Sequence, residues 1–337
     1  DSKTFTFSFT NMISGETGKI YSNVMSASSM TGEFNIKTDL TEKSATFDKI
    51  VKYDLGYEKI MEAEVTQTAS NSISVSYKYT TASTTGAGYI DYIIAAAKCN
   101  LKGNVGYQMI PVSSSSTEEN ITYAALNSSS NIQVWDVSEI GDIKRVPTRL
   151  NKDSLIFTVK TRPTVGRYIL VNWGGGFPTP EIVGNVDNQN LHALKDIEYV
   201  VVTNPEFIYQ AKDLAEFHQK EDGMSVAVVT TDQVYNEFSS GTPDPTAIRA
   251  FMKMLWDKAA KSEYGVYPQY LLLMGDGTYD NRGILKMNDN NKILTYQSVK
   301  SLNETSSFSC DDYFGYVEDG SFGYNNLYTN KRINIGV

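Results

Sequence analysis

The sequence predicts a multidomain chain: an all-β, sandwich-like amino-terminal region over residues 1–172, a linker over 173–195, and a partial α/β domain with a parallel sheet over 196–337. Three observations carry this. Short runs in the first half alternate apolar and polar residues with period two. Glycine and proline then cluster between 173 and 180, and beyond 196 continuous apolar runs alternate with segments of helical period. At 337 residues with 41% hydrophobic content, the chain is long enough for two or three cores.

In the first half, Thr4-Phe5-Thr6-Phe7-Ser8-Phe9 and Ser72-Ile73-Ser74-Val75-Ser76-Tyr77-Lys78-Tyr79 place one set of side chains on a core face and the other in water. Further strands are predicted at Tyr92–Ala95, Ile132–Asp136, Leu155–Val159 and Tyr168–Asn172. Many short strands with turn residues between them indicate a sandwich or a pair of small sheets. The run Trp173-Gly174-Gly175-Gly176-Phe177-Pro178-Thr179-Pro180 breaks the chain and opens the linker.

In the second half, Tyr199-Val200-Val201-Val202, Val226-Ala227-Val228-Val229 and Tyr270-Leu271-Leu272-Leu273-Met274 are apolar runs too short for helices, as expected of parallel strands buried on both faces. A helix is expected over about Glu206–Lys220, ended by Gly223. A second begins at Asp244-Pro245, because a carboxylate caps free amides and proline fits the first helical position. Ile248, Phe251, Met252 and Leu255 then recur at i, i+3, i+4 and i+7. Ile333-Asn334-Ile335 is expected to supply one more strand.

Composition excludes several function classes. Thirty Lys and Arg against 39 Asp and Glu give a net charge of −9, the wrong sign for nucleic acid or anionic lipid. No run of apolar residues is long enough to span a bilayer as a helix, so no transmembrane segment is expected. Cys99, Cys310, His192 and His218 are the whole stock of thiol and imidazole, too scattered for a zinc site, and both cysteines are expected as free thiols. Cys310 precedes Asp311-Asp312, which would raise its pKa, and His218 reads as packed beside an apolar stripe near a helix end. A Cys–His dyad within this chain is therefore not expected.

Ligands of open α/β sheets collect at the carboxyl ends of the strands. The densest polar constellation there is Gly275-Asp276-Gly277-Thr278-Tyr279-Asp280-Asn281. Asp276 and Asp280 have the oxygen chemistry for a structural Ca²⁺ or Mg²⁺, with Asp311 and Asp312 as a second acidic pair; the alternative is a capping aspartate in a tight glycine turn and a solvated acidic loop. Apolar strand then Asp-Gly-Thr also resembles haloacid dehalogenase-like phosphatases, but the nucleophile position is Met274, which cannot attack phosphorus. No dinucleotide or P-loop fingerprint is present, so no cofactor is expected beyond that cation.

Four ordered motifs, Asn188–Leu194, Glu237–Arg249, Tyr270–Asn281 and Asp311-Asp312-Tyr313-Phe314-Gly315, closely resemble the gingipain family of cysteine peptidases, and within it the cell-surface sortases of type IX secretion. The resemblance implies a caspase-like α/β sheet and an exported protein on the extracellular face of the outer membrane. It implies an enzyme that removes the carboxy-terminal signal of secreted cargo proteins and attaches them to anionic lipopolysaccharide, with outer-membrane secretion components as partners. The family's catalytic histidine and cysteine both lie after the strand that resembles Ile333–Val337, so no residue here inherits a catalytic role and residues 196–337 correspond to the first, non-catalytic subdomain. The chain, which opens without a signal core and stops on a strand-like run, is expected to be a catalytically silent piece of a longer protein. The rival expectation is a non-enzymatic surface binding or scaffold module.

Overall fold

Alternating hydroxyl and apolar residues build the first sheet. In a computed structural model, which describes residues 2–103, 107–112, 119–162, 165–175, 177–286, 291–320 and 332–337 and so leaves Gly176 and Lys331 aside, strand β1 (Ser2–Ser8) heads seven strands: β2 (Thr17–Ala27), β3 (Gly32–Lys37), β4 (Glu42–Phe47), β5 (Tyr57–Thr66), β6 (Ser72–Thr81) and β7 (Ala87–Ala96). They form two antiparallel sheets, in the orders β1-β6-β3-β4 and β5-β2-β7. Across β1 and β6 the outward hydroxyls pair directly, Thr4 with Ser76 and Thr6 with Ser74, each at 2.8 Å. The inward residues Ile73 and Val75 meet Ile20 and Val24 of β2 and Met61 and Val65 of β5 in one core.

The second sandwich is built alike from β8 (Tyr107–Val112), β9 (Asn120–Ala125), β10 (Ile132–Asp136), β11 (Lys144–Val146), β12 (Thr148–Asn151), β13 (Ser154–Lys160) and β14 (Gly166–Asn172). Its sheets run β11-β10-β14-β8 and β12-β13-β9. Val134, Phe157 and Leu170 lie in its shared core. The sandwich-like character read from the alternation is therefore the observed one.

Strand β2 escapes the period-two reading because its buried face is not all apolar: Ser22 and Ser26 are both fully buried. Each hydroxyl finds a partner, Ser22 donating to the Met61 carbonyl at 3.3 Å and Ser26 lying 2.7 Å from the Tyr79 hydroxyl.

From Tyr199 onward the sheet is parallel. Strands β15 (Tyr199–Thr203), β16 (Val226–Thr230) and β17 (Tyr270–Met274) run in the order β16-β15-β17. Val200, Val201 and Val202 on the central strand have no exposed surface, as a strand covered on both faces requires. Helix α1 (Ile208–Phe217) follows a 3₁₀ turn at Pro205–Phe207 whose cap is Asn204, and a π turn over His218–Asp222 ends it at Gly223, φ 68°. The helix expected over Glu206–Lys220 is thus three consecutive helical types, since Pro205 sets a tight first turn and the last turn widens before the left-handed glycine.

Helix α2 (Thr231–Phe238) begins with a capping box in which the Thr230 hydroxyl accepts from the Gln233 N–H while the Gln233 side chain accepts from the Thr230 N–H. Helix α3 (Pro245–Ala260) starts where predicted, the Asp244 carboxylate accepting from the Thr246 N–H at 2.8 Å, and buries Ile248, Phe251, Met252 and Leu255. The short α4 spans Asp312–Gly315. Of the expected strand at Ile333–Ile335, the observed pairing lies one residue on: Gly336 makes a parallel bridge to Tyr270, and its carbonyl accepts from the Leu271 N–H at 2.8 Å.

The chain divides into two compact units, residues 1–52 with 56–183 and residues 53–55 with 184–337. Among the described residues no helix is long and apolar enough to cross a membrane.

Candidate functional site

The turns at the carboxyl edge of the parallel sheet bind to one another rather than lying open. After β17 the chain makes the turn Gly275–Asn281, and the Asp276 carbonyl accepts from the Lys292 and Ile293 N–H groups at 2.8 and 3.0 Å. Asn281 clasps Thr295 from both ends of its amide, donating to the Thr295 carbonyl at 2.7 Å and accepting from its N–H at 3.2 Å. Asn204, at the end of β15, donates to the Lys292 carbonyl at 3.1 Å. Both glycines of the turn are steric necessities. A Cβ on Gly277 would lie 2.6 Å from the Thr295 methyl and 2.7 Å from the Ile293 carbonyl, and Gly275 has φ 149° with Lys292 Cβ only 2.9 Å from where its own would stand.

Asp280 is buried, and its two oxygens accept from the Ile284 and Leu285 N–H groups at 2.8 and 2.7 Å. Asp276 is exposed. Asp311 and Asp312 are exposed residues at the start of α4, where partial burial of the Asp311 carboxyl, then the Asp312 charge, raise its pKa. Among the described residues no three carboxylates, imidazoles or thiols converge on one point that would hold a metal ion. These aspartates do not form a cation cage as they stand: one is spent on backbone amides, and the others face water.

The motif Asp311–Gly315 packs instead. Tyr313 stacks on Tyr296 with ring centroids 4.0 Å apart, and Phe314 has no exposed surface. The Arg249 side chain of α3 donates to the Tyr316 carbonyl at 2.8 Å and lies 5.5 Å from the Tyr313 ring centre. A Cβ on Gly315 would meet the Ile335 carbonyl at 2.4 Å, so the terminal segment and this turn touch backbone to backbone.

The motif around His192 is bolted to α2. Glu237 accepts from the Leu191 N–H at 2.6 Å, the His192 N–H at 3.1 Å, the Gln189 side chain at 2.9 Å and His192 Nδ1 at 2.6 Å. Burial acts to raise this carboxyl, but the four donors outweigh it and hold it down to about 2. The His192 ring also stacks on Phe238, centroids 4.7 Å apart, and Lys258 of α3 donates to the His192 and Leu194 carbonyls. The role of Glu237 was not apparent from its motif; its signal is local, an acidic residue near the end of a helix facing an Asn/Gln-rich run.

No thiol is armed. Burial raises the pKa of Cys99. For Cys310, burial raises it first, the Tyr313 and Asp312 backbone N–H groups pull it down, and the Asp312 and Asp311 charges push it up again, with a net rise. Each imidazole hydrogen-bonds a carboxylate, His192 with Glu237 and His218 Nδ1 with Asp222 at 2.6 Å. His218 also packs edge-on to Tyr199, centroids 4.9 Å apart, beside a cleft of about 500 Å³ at the amino ends of β15 and β17. That is the opposite edge of the sheet from the one where α/β enzymes do their chemistry. At this strand edge the turns clasp one another, and among the described residues no thiol is paired with an imidazole.

Residues 192–336 match the model of peptidase family C25. The gingipain resemblance carried by the four motifs is borne out by that match, and three of the motifs fall wholly within the matched residues. The fold agrees as well: the chain superposes on a dimeric latent PorU from Porphyromonas gingivalis with a TM-score of 0.81 at 24% identity, covering 94% of this chain and 32% of that one. The chain therefore spans about a third of the length of the PorU chain it matches, 32%. No curated protein matches it. Within the matched residues, the glycine turn, the Tyr296–Tyr313 stack and the Glu237 clamp tie the segments beside the sheet together.

Proposed function

We propose that this chain is the amino-terminal part of a gingipain-family cysteine peptidase acting as a cell-surface sortase: two β-sandwiches followed by the first, non-catalytic half of the peptidase domain. The observation that carries the reading is that the PorU fold accounts for 94% of this chain while the chain accounts for 32% of PorU, with the family C25 segment at residues 192–336. In the whole protein a cysteine and a histidine beyond these residues perform the cleavage, removing the carboxy-terminal signal of a secreted cargo and passing the cargo to surface lipopolysaccharide. Residues 192–337 supply the parallel sheet whose carboxyl edge, fixed by the Asn281–Thr295 and Asn204–Lys292 clasps, flanks that chemistry. The aspartates remain candidates for a structural cation only if Asp280 releases its backbone donors.

The test is to incubate this chain and the full-length protein separately with a cargo bearing its carboxy-terminal signal, reading the products by mass spectrometry. Cleavage by the long protein alone is expected. Cleavage by neither, or by the 337-residue chain alone, overturns the reading.

A further inference from the structure

The first sandwich leaves one seam open. Among the described residues strand β1 pairs only with β6 and strand β7 only with β2, so each is an edge, and the two edges flank a groove of about 390 Å³. Lys3, Phe5, Phe34, Tyr79, Tyr89 and Ile90 line it. Gly88 creates the floor: a Cβ there would meet Tyr79 Cγ at 2.4 Å and Phe34 Cζ at 2.7 Å, so only glycine lets the two rings lie beneath the strand.

The edges are not equally guarded. Strand β5, on the far side of the same sheet, carries Glu58, Lys59, Glu62 and Glu64, and β4, the far edge of the other sheet, carries Glu42 and Lys43. Charges on an edge oppose pairing with a foreign strand. Strand β7 has one charged residue, Asp91, which falls where the register shifts between Asn23 and Val24 of β2. The regular stretch Ala87–Ile90, directly beside the groove, carries none, and Tyr89 is 52% exposed. An unguarded edge next to an aromatic groove is the geometry of strand addition, in which main-chain bonds give affinity and the groove selects side chains. The charge at the rim narrows the guest. Lys3 makes no ion pair among the described residues, so the rim offers an ammonium to a carboxylate on the guest.

We propose that the β1/β7 seam receives an extended segment of a partner protein, which pairs with β7 over Ala87–Ile90, sets an aromatic or branched apolar side chain into the groove and brings a carboxylate to Lys3. The proposal stands apart from the peptidase reading, because every residue it uses lies in the first sandwich.

The probe is a fluorescein-labelled decapeptide of alternating Thr and Val with one Phe and one Asp, compared with the same peptide carrying Lys for Asp and with a version N-methylated at alternate residues. Anisotropy titration against the 337-residue chain should show saturable binding of the acidic peptide, about tenfold weaker after N-methylation or in Tyr89→Asp. Lys3→Glu should weaken the Asp peptide about tenfold and strengthen the Lys peptide, a reversal that a misfolded variant cannot produce. Hydrogen exchange should slow at Ala87–Ile90 on binding. No saturable binding, indifference to Lys3→Glu, or protection on another edge overturns the proposal. So does a dimer that forms without peptide and is lost in Tyr89→Asp, which would put a second copy in the seam.

Discussion

Glu237 accepts hydrogen bonds from three residues of one motif, and its charge has a measurable consequence. Its carboxyl side chain is 15% exposed, and the fall from 4.5 to about 2 is a stability statement. A depressed carboxyl contributes stability in full above about 4.5 and loses it as pH falls through about 2. Chemical denaturation of the chain between pH 6 and pH 2 should therefore show a loss in that window that Glu237→Gln abolishes, with the variant already less stable at pH 7. At Gly277 the argument is steric: Gly277→Ala drives a methyl into the Ile293 carbonyl at 2.7 Å, so the turn must open. Overpacking of this kind costs about 1–3 kcal/mol, read as a lowered midpoint in thermal unfolding.

At the scale of elements, capping governs where the helices begin. Asp244→Ala should cost about 1 kcal/mol in denaturant unfolding, because the Thr246 N–H loses its acceptor while Pro245 still fixes the first turn. That helix was legible because its cap, its proline and its 3.6-residue stripe all agree. Helix α2 was not read as a helix. Thr230-Thr231-Asp232 looks like a polar loop at a strand end, and only the reciprocal Thr230–Gln233 bonds reveal it as a capping box. The three parallel strands were legible as apolar runs; β2 was hidden because buried serines with partners break the hydrophobic count. In the candidate site, the loops singled out in the sequence lie at the strand edge and beside it, but their bonding is not readable from it. Asp280 reads as a cation ligand until its two backbone donors are seen, and the tertiary partner Thr295, on the far side of the turn, is not encoded in any local pattern.

At the scale of the whole molecule, the chain is two compact units. Residues 177–188 are exposed and carry no regular structure, whereas Leu191 beyond them is buried. Exposed backbone of this kind is where proteases nick first. Limited digestion with a glutamate-specific protease should cut at Glu181 before any other site and leave two fragments that each keep a cooperative unfolding transition. On the proposed peptidase reading, neither of these units holds the reacting thiol or imidazole. The most direct measurement is kcat/KM for cargo cleavage by the full-length protein carrying Cys99→Ser and Cys310→Ser together. A value within about twofold of the unsubstituted protein is expected, whereas a loss of about 10³-fold or more would make one of these two thiols the nucleophile and refute that reading.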